Sequence, residues 1–227
     1  RHQHKADKYL DYLAKEMAMY QPMVKDKKIR QIHLGGGTPT FLTEQQLTRL
    51  MDLVHENFTF ASNPEVSIEI DPRSCSDEKL RHLRELGFNR VSYGVQDFDK
   101  KVQIAINRVQ DVDLIAHQLK LSKELGFDSI NLDLIYGLPY QRPETFRKSI
   151  EQVIEMDPDR ISVFSYAHLP ERFAGQKKIP EESIPQPSVK LSLLEQAITQ
   201  LSEAGYQFIG MDHFAKKDDG LAIAQRE

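Results

Sequence analysis

The sequence holds a single cysteine, Cys75, in 227 residues. No internal disulfide is possible, and a lone thiol fits a reducing, cytoplasmic compartment. Metal-site spacings are missing too. No Cys-x-x-Cys or His-x-x-x-His pair occurs, and the eight histidines are scattered. No apolar run approaches the roughly 18 residues of a membrane span, and the amino end has no signal-peptide pattern. The P-loop, the dinucleotide fingerprint and a Gly-x-Ser-x-Gly nucleophile turn are all absent. A net charge of −4 leaves no basic footprint for nucleic acid or an anionic membrane.

What is present is ordinary globular material, 40% hydrophobic and 28% charged, long enough for one large domain or a small pair. The chain opens at Arg1 and closes at Gln225-Arg226-Glu227, and is expected to be a segment of a longer protein.

An internal repeat organises it. Glu85-Leu86-Gly87-Phe88 is echoed by Glu124-Leu125-Gly126-Phe127 and, more weakly, by Glu203-Ala204-Gly205-Tyr206. Each follows a helix-period stretch and precedes a β-rich run, so glycine is expected to stop the helix at φ > 0 and the aromatic to pack at the turn. Strands are expected over Gln31–Gly36, Val66–Asp71, Arg90–Gln96, Ser129–Gly137, Arg160–Tyr166 and Gln207–Met211. Helices are expected over Ala6–Tyr20, Thr43–Asn57, Ser76–Leu86, Val112–Leu125, Pro143–Met156 and Ser188–Ala204. In the last helix, Ser188 is the expected N-cap, with Leu191, Leu194, Ile198 and Leu201 as the buried stripe. Leu169–Pro187, with four prolines, reads as a long surface loop.

Alternating strands and helices imply α/β architecture: parallel β/α repeats forming a partial, open TIM-like barrel. Period-two alternation puts Ser67, Glu69 and Asp71 on one strand face. Ser92, Gly94 and Gln96 share a face of the next strand, and Asn131 and Asp133 of another. If helices cover the apolar faces, these polar faces line the inside. An open antiparallel sheet with a solvated face is the weaker alternative, because helices separate nearly all the strands.

Active sites of parallel α/β folds lie at the carboxyl ends of the strands. There this sequence places Gly35-Gly36-Gly37-Thr38-Pro39-Thr40, Glu69 with Asp71, Gln96 with Asp97, Asp133, Tyr166-Ala167-His168 and Met211-Asp212-His213. Arg108 follows nearby and could clamp a carboxylate. Each has a plain structural alternative: a tight turn, an ion pair, a surface arginine. His33, His168 and His213 read as structural or solvated, and Cys75 as incidental.

Together these residues resemble the radical S-adenosylmethionine superfamily, and within it the oxygen-independent coproporphyrinogen III oxidase family. The carriers are Gly35–Thr40, Ser67–Arg73, Gly94–Phe98, Asn107-Arg108, Asn131–Pro139, Phe164–His168 and Gly210–Ala215. The resemblance implies an oxidoreductase of haem biosynthesis. A 4Fe–4S cluster, reduced by an electron donor, cleaves S-adenosylmethionine; the resulting radical takes hydrogen from coproporphyrinogen III propionates, which lose carbon dioxide and become the vinyl groups of protoporphyrinogen IX. It implies Gly36 and Glu69 as contacts of the cluster-bound S-adenosylmethionine. Gly37, Thr38, Gln96, Arg108, Asp133 and Ala167 would contact a second such molecule. The family's Cys-x-x-x-Cys-x-x-Cys run is not in this sequence, and its first barrel strand and C-terminal domain also look absent. The chain alone, residues 1–227 as an incomplete barrel domain, is therefore expected to be inactive. It is further expected to be monomeric and to bind neither nucleic acid nor membrane. The alternative is a non-catalytic haem-binding chaperone of the same wider group.

Overall fold

A computed structural model of the protein describes residues 4–227. The chain forms two compact units, Arg1–Ser92 with Leu121–Asp128, and Tyr93–Lys120 with Ser129–Glu227. Among the described residues, no helix is long and apolar enough to cross a membrane.

The first unit is built from α1 (His4–Val24), β1 (Lys28–Leu34), α2 (Glu44–Asn57), β2 (Thr59–Ile70) and α3 (Asp77–Glu85), and leads into β3 (Arg90–Gln96). Thr43 and Gln46 form a reciprocal capping box that starts α2. Leu10 of α1 packs with Leu50 and Val54 of α2, against Ile32, Leu34 and Phe60 of the strands. Burial of this cluster covers one sheet face. Gln31, His33, Glu65, Ser67 and Glu69 therefore share the other. The strands run parallel, with His33 opposite Ser67 and Leu34 opposite Ile68. At their amino ends the pairing jumps from Ile29–Phe60 to Gln31–Glu65, so one intervening residue on β1 faces four on β2. β2 thus begins earlier than its apolar run suggests, and β1 stops at Leu34 because Gly36 and Gly37 take φ of +73° and +74°.

The second unit holds α4 (Lys100–Ala105), most of α5 (Val112–Glu124), β4 (Ser129–Tyr136), α6 (Pro143–Met156), β5 (Arg160–Ser165), α7 (Pro187–Glu203), β6 (Gln207–Gly210), β7 (His213–Ala215) and α8 (Gly220–Arg226). β4 and β5 are parallel and in continuous register from Asn131–Arg160 to Tyr136–Ser165. The strand order is β1-β2-β3-β4-β5-β7-β6.

The β/α repeat is as expected, with three corrections. β6 does not join β5 directly: β7 lies between them, antiparallel to both. Met211 and Asp212, with φ of +48° and +69°, form the two-residue turn from β6 to β7. Helix α7 is entered through Gln186 and Pro187, not through a Ser188 cap. Its buried positions are Leu193, Ala197 and Leu201, while Leu191 is exposed. The stretch Leu169–Gln186 is irregular apart from short 3-10 turns at Ala174–Lys178 and Glu181–Ser183, and Pro187 already belongs to α7.

The internal repeat is a repeated helix stop. At Gly87, Gly126 and Gly205, φ is positive. Each glycine N–H bonds the carbonyl three residues back, and the next aromatic's N–H bonds the carbonyl five back: Phe88 to Leu83, Phe127 to Ser122 and Tyr206 to Leu201. This pair of bonds is the Schellman motif. All three aromatic side chains are buried.

Candidate functional site

In the first unit, the site grows from the end of β1. Gly36 and Gly37 hold left-handed conformations over open space, with nothing within 4 Å of where a Cβ would stand. A ligand can therefore approach the backbone on that side without meeting a side chain. The turn is fixed from its far side. Pro39 starts a 3-10 turn, Phe41 N–H bonds the Thr38 carbonyl at 2.9 Å, and Lys79 Nζ donates to the carbonyls of Thr40 at 3.0 Å and Leu42 at 2.9 Å.

Glu69, on the polar face of β2, accepts the Gly36 N–H on Oε2 at 3.2 Å. Its Oε1 lies 3.4 Å from His33 Nε2. The other ring nitrogen of His33 is 2.8 Å from Ser67 Oγ, whose hydroxyl donates to the Ile32 carbonyl. The result is a half-exposed carboxylate held by the Gly36 N–H, beside a turn where no Cβ of Gly36 or Gly37 stands in the way, a set suited to an ammonium group and hydroxyls. Composition alone did not single out His33. The parallel register that sets it opposite Ser67 is the signal that finds it.

Asp71 does not join this face. It is buried and takes Arg73 as a two-pronged partner, Nε to Oδ1 at 3.0 Å and Nη2 to Oδ2 at 2.8 Å. The Arg73 backbone N–H adds a third bond to Oδ1 at 3.2 Å. It is the structural ion pair of the two carboxylates. Cys75 is also buried, and burial pushes its thiol up to about 12.

In the second unit, Gln96 ends β3 at φ +72°, an unfavourable region for a residue with a Cβ. Its buried Oε1 has no hydrogen-bond partner among the described residues. Arg108 Nη2 donates to the Gly94 carbonyl at 2.8 Å. A Cβ on Gly94 would lie 2.8 Å from Arg108 Nη2 and 3.0 Å from Gln96 Nε2, so glycine makes room for both. Asp97, next to Gln96, is wholly buried and structural. It accepts from Ser149 Oγ, Gln141 Nε2 and the Asp99 N–H. Burial, opposed by the Ser149 bond, still holds its carboxyl above the ordinary range. Asp133 is half-buried and accepts from Asn131 Nδ2 at 2.6 Å; Asn131 also reaches Ser162 Oγ at 3.0 Å. Ala167 is exposed just beyond β5, its carbonyl taken by Gln176 Nε2 at 2.9 Å. Lys190, not anticipated, donates to the Tyr166 carbonyl at 2.6 Å.

The structure thus joins Gly36 to Glu69, with Gly37 and Thr38 in the same turn, and sets Gln96 and Arg108 around Gly94. Met211, Asp212 and His213 belong to the hairpin. Residues 3–153 match the family model described as the radical SAM superfamily.

The chain belongs to the radical SAM superfamily. A curated relative, the oxygen-independent coproporphyrinogen III oxidase of Salmonella typhimurium, is 53% identical over 227 residues, 100% of this chain and 50% of its own length. The solved structure of coproporphyrinogen III oxidase (HemN) from Escherichia coli, a radical SAM enzyme, matches at a TM-score of 0.96 and 53% identity, over 100% of this chain and 52% of that one. Elp3 from Methanocaldococcus infernus, at 17% identity and a TM-score of 0.61 over 81% of this chain and 48% of its own, shares the fold alone. The chain spans about half the length of the curated relatives it matches.

Membership of the radical SAM superfamily implies S-adenosylmethionine and a 4Fe–4S cluster. The half-exposed Glu69 carboxylate and the Cβ-free approach to Gly36 and Gly37 fit the first. The second does not fit: among the described residues no group of three or more His, Cys, Asp or Glu side chains converges. The one thiol is buried and protonated, whereas such clusters take several thiolates.

Proposed function

We propose that this chain is the S-adenosylmethionine-binding part of an oxygen-independent coproporphyrinogen III oxidase, which converts two propionates of coproporphyrinogen III to the vinyl groups of protoporphyrinogen IX. The observation that carries the reading is the Gly36–Glu69 bond in a turn whose glycines leave the space of a Cβ empty, in a chain similar along its whole length to enzymes of that name. Gly36 and Glu69 hold the aminoacyl or ribose end of S-adenosylmethionine. Glu69 accepts from its ammonium or hydroxyls, and the glycine peptides approach closely because no Cβ intervenes. When reduced, S-adenosylmethionine supplies a 5′-deoxyadenosyl radical. The residues here bind, orient and shield it.

A second S-adenosylmethionine is assigned to Gln96, Arg108, Asp133 and Ala167. Gly37 and Thr38 join that assignment on resemblance alone. The unpaired Gln96 Oε1 and the strained Gln96 backbone support a ligand role for that residue. The iron ligands and the electron donor are supplied from outside the residues described. The chain by itself is proposed to be inactive, monomeric and cytoplasmic.

Calorimetric titration of the chain with S-adenosylmethionine tests the reading. Binding is expected, and Glu69→Gln should weaken it about tenfold or more, the worth of one charge-assisted hydrogen bond. Absence of binding, or an unaltered Glu69→Gln, overturns it. In the full-length protein, anaerobic incubation with coproporphyrinogen III should release carbon dioxide and yield protoporphyrinogen IX.

A further inference from the structure

The second unit contains a cavity of about 1320 Å³ between α4 and the irregular stretch after β5. It exceeds the roughly 300–1,000 Å³ of ordinary small-ligand sites. Its walls are fixed by hydrogen bonds. Asp99 caps α4 by accepting from the N–H groups of Lys101 and Val102. Val102 and Gln103 are thereby turned inward and buried, and Lys100, Lys101 and Ile104 outward. On the far wall, Gln176 ties the 3-10 turn carrying Lys178 to the backbone of Ala167 and Leu169. Tyr140, at φ +62°, bonds the Ser183 carbonyl through its N–H at 2.7 Å.

Two properties of this cavity are unusual together. Lys100, Lys101 and Lys178 line it and no carboxylate does, although acidic residues outnumber basic ones, 34 to 30. None of the three ammonium groups has a carboxylate partner among the described residues. Lys101 Nζ lies 4.3 Å above the Tyr140 ring. Between the lysines, Ile104 and Phe173 stand 62% and 56% exposed. Three uncompensated positive charges on two walls, spaced around exposed apolar surface, call for a broad apolar ligand with several peripheral anions.

We infer that this cavity binds the carboxylate-bearing tetrapyrrole: Lys100, Lys101 and Lys178 pair with its propionates, and Ile104, Tyr140 and Phe173 pack against the macrocycle. The inference rests on the oxidase reading and adds to it the residues that select a polycarboxylate.

Fluorescence titration of the chain with coproporphyrin III, and with its uncharged tetramethyl ester, tests it. The acid should bind at least about tenfold more tightly than the ester. Replacing the three lysines together (Lys100→Gln, Lys101→Gln, Lys178→Gln) should weaken the acid about thirtyfold, roughly threefold per exposed ion pair. Affinity for the ester and for S-adenosylmethionine should not change. Equal binding of acid and ester, or a triple variant that holds the acid like the parent, overturns the assignment. If S-adenosylmethionine binds while the lysine effect is absent, this inference alone fails. If S-adenosylmethionine does not bind, the oxidase reading fails with it.

Discussion

His33 Nε2 occupies the space beside Gly35, where a Cβ on that glycine would lie only 2.5 Å from it. Glu69 Oε1 would be 2.8 Å away. Gly35→Ala must push both side chains off their positions. These are the far ends of half-exposed side chains, so the folding cost should stay within about 1 kcal/mol. Affinity for S-adenosylmethionine should fall about tenfold, because Glu69 loses its aim. Calorimetry and a thermal melt on the same sample separate the two effects.

Gln96 carries the opposite signature, a side chain where the backbone prefers glycine. Gln96→Gly should relieve about 1 kcal/mol of strain, partly offset by the freer unfolded chain. Its melting temperature should equal or exceed the parent's, while that of Gln96→Ala should not rise. Both variants should bind S-adenosylmethionine less well, since both lose the amide.

Asp97 makes stability depend on pH in a definite sense. Its carboxyl is raised from the ordinary 3.8, chiefly by burial. The folded state therefore holds the proton more tightly than the unfolded state does. The stabilisation from this group is complete below 3.8 and is lost as pH rises through the raised value. Asp97→Asn cannot titrate. It also sets an amide N–H₂ against Gln141 Nε2, which cannot turn round because its Oε1 already accepts from Gly137 and Leu138. The variant should be less stable by about 1–3 kcal/mol. The gap to the parent should be widest in acid and narrow as pH rises. Urea unfolding at several pH values reads both.

Cys75 should be inert. With its thiol pushed up to about 12 and its side chain buried, a disulfide reagent at pH 8 should label the native chain far more slowly than the chain in guanidinium. Incubation with iron and sulfide under reducing, anaerobic conditions should leave no cluster absorbance or paramagnetic signal.

The features legible in the sequence are those set by local bonding. The stops at Gly87, Gly126 and Gly205 each close within six residues, so the repeat announces them. Period-two alternation likewise put Glu69 on the polar face of β2 and left Val66, Ile68 and Ile70 buried. Features that depend on distant partners were not legible. β7 has three residues and exists because Arg160–Ser162 pair with it; its turn, Met211-Asp212, lacks the usual glycine or asparagine. α4 is six residues, too short for a period to emerge. The face of α7 is rotated from its leucine pattern because small Ala197 sits where the helix packs. Glu69 and Asp71 look alike in sequence. Arg73, two residues on, decides between them.

The uneven pairing between Ile29–Phe60 and Gln31–Glu65 separates two regimes along one strand pair. Residues 61–64 already bulge out of register, so loops of different length can be exchanged there without disturbing the pairs nearer the glycine turn. From Ile32 to Leu34 the register is continuous. A single deletion there would turn His33 to the opposite side of the sheet, and one in the paired Val66–Ile68 would turn Glu69. Natural length variation in this family should collect at the first segment and avoid the second.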